Sequence, residues 1–330
     1  MKPLNYFFLG VILMMMSQSG MAESPLLEAL GLSQDTRALV IHADDVGMCW
    51  AEHDASIRAM EKGSVTCGSA MVPCSWFPAT ARACKKNPDL DMGIHLTLTS
   101  EWGVYRWGPL AGRDRVPLLV DDEGYLWHEV PQVYRSVGSH IDQVITEVQA
   151  QIDLYRKQGL EPSHLDSHMG TLFYNEAYFK ATCNVALKND IPFMVFNYSD
   201  QVAEEVGRKL PYYDKSLVRK LAAAGFPLFD AFYGEELVDE DYDKGFDNYC
   251  ERLSNLKPGV SMMILHMGVD SPELKNVTAR HAARDQQFRI FSDPKMADFI
   301  KEQGIRLLNW RDVRKAVWDK RDKTVTKVFD

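Results

Sequence analysis

The sequence predicts a (β/α) barrel, TIM-like or a distorted version of one, folded as a single domain. Three observations predict it. Short apolar runs recur about eight times, and each is followed by a helical pattern or a long loop, the rhythm of parallel strands joined by crossovers. No Pro/Gly/Ser-rich linker breaks that rhythm, which argues against two separate domains. Carboxylates and imidazoles stand at the ends of several runs, where an α/β barrel gathers its functional groups at one mouth. An open doubly wound sheet is the alternative, but no G-x-G-x-x-G follows the first run.

The elements follow in order. Lys2, the uncharged apolar run Phe7 to Met16 and the small residues Gly20-Met21-Ala22 predict a secretory signal peptide over residues 1–22. The run is short of the ~20 apolar residues that a membrane span needs. The domain would then occupy 23–330, exported to the periplasm or the extracellular space. Arg37 to Ala43 is the first strand, and Ala51 to Lys62 a helix that stops at Gly63. In that helix Ile57 and Met60 share a face, with Glu52 placed largely elsewhere. Val65 to Val72 is a strand, Pro78 to Lys86 a short helix and Met92 to Leu98 a third strand. Thr99 to Gly138 is an insertion rich in aromatics: Trp102, Tyr105, Trp107, Tyr125 and Trp127. Loops of this length are usually functional. These rings serve either to stack on sugar or to form a small core that packs the loop on the rim.

Ile141 to Lys157 carries Val144, Ile145, Val148, Ile152 and Tyr155 at helical spacing. Strands follow at Pro162 to His168, Pro192 to Phe196, Pro227 to Asp230, Ser261 to Leu265 and Arg306 to Leu308. The helices between them are Asn175 to Asn189, Asp214 to Ala224, Phe246 to Leu256 and Pro294 to Gln303, the last with Pro at its first position.

Of the 330 residues 46% are hydrophobic and 25% charged, an ordinary globular balance. A net charge of −9 argues against nucleic acid and against anionic membrane surfaces as partners, and signal removal would leave no stable membrane insertion. A homo-oligomer is compatible with the composition. Cys49, Cys67, Cys74, Cys84, Cys183 and Cys250 form no C-x-x-C pair, so buried free thiols are expected.

The chemistry concentrates at four strand ends: Asp44 and Asp45, His95, His164/Asp166/His168, and His266. One carboxylate with two imidazoles is a ligand set for catalytic zinc, and also serves magnesium or another divalent metal. On a strand His164, Asp166 and His168 share a face, because the period is two. His168, nearest the strand end, is the preferred ligand and His164 the alternative, with Asp166 orienting an imidazole. With Asp45 on the metal, Asp44 is free to act as base on a water whose pKa a cation lowers from ~15.7 towards ~7. His266 would protonate the leaving nitrogen. Glycoside hydrolysis by the two carboxylates is a weaker alternative, since neighbours on a strand point to opposite faces. Neither G-x-S-x-G nor a Walker motif is present.

These residues resemble the YdjC-like carbohydrate deacetylase family (the ChbG/HpnK group). His42-Ala43-Asp44-Asp45-Val46-Gly47 resembles its Asn-Ala-Asp-Asp-Phe-Gly motif, and Gly93-Ile94-His95-Leu96-Thr97-Leu98 its Gly-x-His-Leu-x-Leu segment. His164-Leu165-Asp166-Ser167-His168 is similar to His-x-Asp-Ser-His, Leu265-His266 to the late Cys/Leu-His element, and the stretch from Arg284 through Asp293-Pro294 to Asn309-Trp310 to the family's closing segment. The resemblance implies a (β/α) barrel and a metal-dependent hydrolase that removes acetyl groups from N-acetylated sugars or oligosaccharides. It implies Asp44 as base, His266 as acid, and Asp45, His95 and His168 as metal ligands. Alternatives are a non-catalytic exported sugar-binding barrel and a hydrolase of another amide or ester. Three departures stand out. His42 replaces Asn, Met169-Gly170-Thr171 follows His168 where many relatives carry another His, and Met267-Gly268 lacks the Pro that often follows the late His.

Overall fold

A computed structural model describes residues 23–198 and 210–330. The predicted signal peptide, residues 1–22, lies outside the described residues. The first strand, β1 (Arg37–Val46), is the hub. Leu39, Val40 and Ile41 are fully buried, each worth about 1.5–3 kcal/mol of transfer free energy. One edge of β1 pairs in parallel with β8 (Gly259–His266) from Arg37 to Asp44. Its other partners divide its length: β9 (Arg306–Leu307) pairs at Ala38 and Leu39, and β2 (Cys67–Ala70) from His42 to Val46.

The sheet continues through β3 (Met92–Leu96) to β4 (Leu165–Ser167) on one side, and ends at β7 (Ala231–Tyr233) beyond β8 on the other. All its pairings are parallel. The expected barrel is therefore a half-barrel and not a closed ring. The gap is occupied by a separate two-stranded piece, β5 (Val195–Phe196) and β6 (Leu228–Phe229), tied to β4 by the single bridge Leu165–Phe193. The predicted strand Pro227 to Asp230 holds β6, and a further strand that was not expected, β7, follows directly after Asp230. The Asp230 carboxylate accepts from the backbone of Val260 and the side chain of Asn197.

One buried core runs from Leu26 to Phe329. The helix Ile141–Lys157 has the predicted bounds, and Asn175 and Asp214, placed inside helices by the sequence pattern, are their N-caps. Helices at Pro25–Ala29, Val130–Val137, Pro272–Val277, His281–Ser292 and Trp310–Ala316 were not anticipated. In His281–Ser292 the reason is physical: Arg284, Gln286 and Gln287 are buried alongside Phe288, Ile290 and Phe291, so only the second half carries apolar residues inward.

The insertion folds on itself. Trp107 is buried, with Trp102 and Tyr105 packed edge-on against it, and its Nε1 donates to the Thr99 carbonyl. The Tyr105 hydroxyl donates to the Met48 carbonyl, fastening the loop beside the end of β1. These rings form a small core. The cysteines are free thiols, all buried except the half-buried Cys250. Among the described residues no helix is long and apolar enough to cross a membrane.

Candidate metal centre

The site begins with a defect in β1. Pairing with β2 slips between Ala43 and Val46, and Asp45 takes a left-handed conformation with φ 59°. That conformation costs a non-glycine residue about 1–3 kcal/mol. It also defeats strand alternation: Asp44 Oδ2 and Asp45 Oδ1 approach the same atom, His95 Nε2, at 3.8 and 3.4 Å. The objection that neighbouring carboxylates must point apart therefore fails here. Gly47 follows at φ 83°, where a Cβ would stand 2.6 Å from Thr80 Oγ1. Only glycine fits that exit.

Three donor atoms converge beneath the strand ends. Asp45 Oδ1 lies 3.4 Å from His95 Nε2 and 3.2 Å from His168 Nδ1, and the two imidazole nitrogens are 3.2 Å apart. Donors held about 2.0–2.1 Å from one tetrahedral ion stand about 3.3–3.4 Å apart, so the trio has the right size for a divalent metal. All three residues are buried, and Asp45 Oδ1 has no hydrogen-bond partner. The charge balance agrees. Burial pushes His95 and His168 towards neutrality, but Asp44 and Asp166 raise His95 well above its ordinary value, and Glu101 and Asp45 raise His168 to about 9. The pocket draws in positive charge, which protons supply and a cation would replace.

The surrounding groups orient this trio. His95 Nδ1 is 2.7 Å from Asp166 Oδ1, and His168 Nε2 is 3.0 Å from Glu101 Oε2. Each imidazole thus has a carboxylate behind it, as metal-ligating histidines usually do. Arg284 Nη1 donates to Asp45 Oδ2 at 2.9 Å and to Glu52 Oε1 at 2.7 Å. Burial raises the Asp45 carboxyl, but the Arg284 guanidinium and the adjacent His168 and His95 imidazoles outweigh it and hold the group well below the usual range. Glu52 is fully buried, correcting its expected outward placement, and burial pushes its carboxyl up to about 8 despite Arg284. Arg284→Met is expected to leave the buried Asp45 carboxylate without its cation and to cost about 3–5 kcal/mol, read as a lower urea midpoint. An unchanged midpoint would contradict this role.

The structure separates the other candidates. The predicted strand Pro162 to His168 is shorter than expected. The chain turns at His168 into His168–Gly170, with Met169 at φ 51°. The common face expected for His164, Asp166 and His168 is broken there. His164 falls into an adjoining trio with His42 and Asp166. It stacks on Trp310 at 4.4 Å and 8°, and burial lowers its pKa. Asp44 is more open than the other two aspartates of the site, with its side chain 13% exposed against 1–2% for Asp45 and Asp166. His266 is the register partner of Asp44 across β1 and β8, and its backbone N–H donates to Gln287 Oε1 at 2.7 Å. Burial and Arg284 push its imidazole down. Sequence reasoning missed Glu52, Glu101 and Gln287, and gave Arg284 no role. The carboxylate of Glu101 lies three residues past the third predicted strand, the one local signal that could have marked it.

Comparison with known proteins identifies relatives of this chain. A model of the YdjC-like protein family matches residues 38–302. The chain is similar to a carbohydrate deacetylase of Enterococcus faecalis, 31% identical over 84% of this chain and 98% of that protein. A carbohydrate deacetylase of Thermus thermophilus is 29% identical over 89% of this chain and 99% of its own length. A chitooligosaccharide deacetylase of Yersinia enterocolitica is 30% identical over 84% and 99%. The crystal structure of an Enterococcus faecalis protein, provisionally named for cellobiose-phosphate cleavage, has the same fold. It superposes with TM-score 0.68 at 24% identity, covering 84% of this chain and 99% of that one.

Proposed function

This chain belongs to the YdjC-like protein family, and from that premise we propose that it is a metal-dependent carbohydrate deacetylase, hydrolysing the acetamido group of an N-acetylated sugar or oligosaccharide. The observation that carries the metal dependence is the trio of donor atoms 3.2–3.4 Å apart, with Asp44 on its open side. Its relatives' names support the substrate class.

Asp45, His95 and His168 would hold the metal. Two imidazoles and a carboxylate favour zinc, whereas magnesium prefers an all-oxygen shell. The ion, when bound, supplies positive charge that polarises the acetyl carbonyl and acidifies the attacking water. Asp166 and Glu101 fix the two imidazoles, and Arg284 holds one Asp45 oxygen so that the other faces the site. Asp44 takes the proton of the attacking water as its oxygen bonds to the acetyl carbon. His266 delivers a proton to the nitrogen as the carbon–nitrogen bond breaks, leaving acetate and a free amine. Burial and Arg284 hold the His266 ring neutral beforehand, so the proton that it gives to the nitrogen is the one Asp44 takes from the water, handed to it by its register partner during turnover. The predicted signal peptide would direct this activity to glycans outside the cytoplasm.

The test is acetate release from a panel of N-acetylated mono- and oligosaccharides, with O-acetyl and other N-acyl compounds alongside. The metal-loaded protein is expected to release acetate from N-acetylated sugars, to stop after chelation and to resume on adding zinc. No acetate from any N-acetylated sugar with metal present would overturn the assignment.

A further inference from the structure

Resting on the deacetylase reading, we propose that His42 is the positioning residue for the base Asp44, and that it does this as one end of a rigid hydrogen-bonded imidazole pair, not as a metal ligand. His42 Nδ1 lies 2.8 Å from Asp44 Oδ1, and its Nε2 lies 2.8 Å from His164 Nε2. The second contact is a hydrogen bond between two rings, so one nitrogen carries the proton and the other accepts it.

The neighbours decide which. Ser163 Oγ lies 2.9 Å from His164 Nδ1 and can donate its hydroxyl proton there. His164 then keeps its proton on Nε2 and donates to His42 Nε2. The His42 proton is thereby placed on Nδ1, facing the Asp44 carboxylate. The opposite tautomer would set a nitrogen lone pair against a carboxylate oxygen at 2.8 Å. Neither His42 Nδ1 nor Asp44 Oδ1 has a hydrogen-bond partner elsewhere, so their 2.8 Å approach, which falls short of hydrogen-bond geometry, is the one each has to complete.

The far ring is a fixed wall. His164 is fully buried, stacks flat on Trp310, and lies so close to Gly93 that a Cβ there would be 2.5 Å from its Cε1. Asp166 also faces the pair, its Oδ2 3.3 Å from His42 Nε2 and 3.7 Å from His164 Nε2. These three residues have a ligand-like composition, but a 2.8 Å separation is that of a hydrogen bond and is shorter than the 3.2–3.4 Å separations in the Asp45 trio. The consequence falls on Asp44. Its Oδ2 is 3.8 Å from His95 Nε2, near enough to swing onto a metal in place of Asp45. Holding Oδ1 on His42 keeps Asp44 beside the ion as a base.

Three readouts test this together. In nitrogen-15 NMR of the metal-free wild type, His42 is expected to carry its proton on Nδ1 with Nε2 bare. In His42→Ala, kcat is expected to fall about 10–100-fold with KM and metal stoichiometry unchanged, since a misplaced catalytic group costs on that order. In His42→Asn, whose side-chain N–H can still donate to Asp44, most of the kcat should return. Wild-type kcat in His42→Ala, metal loss in that variant, or a His42 proton on Nε2 in the wild type would each overturn the proposal while the deacetylase reading stood. A metal-loaded wild type that releases no acetate would overturn that reading, and this role with it.

Discussion

Asp45→Ala protein is expected to purify without its metal and without turnover. Asp45 Oδ1 is the only carboxylate oxygen in the donor trio, and it has no other partner. Loss of a group that merely orients a ligand typically costs 10–100-fold in metal affinity, so loss of this ligand should exceed about 100-fold. The fold should survive, because Arg284 keeps Glu52 at 2.7 Å. His95→Ala is expected to behave in the same way. Elemental analysis and acetate release on the folded variants check this, and a full complement of metal in Asp45→Ala would remove Asp45 from the ligand set.

Asp44→Asn is expected to do the opposite: full metal occupancy with turnover lowered about 10²–10⁴-fold, the usual contribution of a general base. Asparagine keeps the shape of aspartate, so the Asp45, His95 and His168 donors are undisturbed. What it loses is the capacity to take a proton. Metal content and kcat measured on one preparation separate this result from the Asp45 result. Normal turnover in Asp44→Asn would remove Asp44 as the base.

Much of this arrangement is legible in the sequence because it is local. The first half of β1 carries the apolar run Ala38 to Ile41, and the helix Ile141–Lys157 buries Val144, Val148, Ile152 and Tyr155 at helical spacing, so both follow from the sequence pattern alone. What escapes is non-local or carried by single residues. Asp45 at φ 59° leaves no trace in composition, yet it brings two sequence neighbours to one atom. A period of two cannot separate His164 from His168 until the turn at His168 is known. Arg284 stands 239 residues from Asp45, on a helix whose buried face is polar over its first half, so the apolar stripe is confined to Phe288, Ile290 and Phe291. Closure of the barrel depends on strands of two residues and on one bridge, too short for any pattern to reveal that the ring stays open.

The central claim is the division of labour at the end of β1. A crystal structure of the zinc-loaded protein, with the ion located by its anomalous scattering, tests it most directly. The account predicts one ion bound by Asp45 Oδ1, His95 Nε2 and His168 Nδ1, with Asp44 beside it and the His42–His164 pair intact. An ion held by His164 or His42, or by Asp44 in place of Asp45, would contradict it.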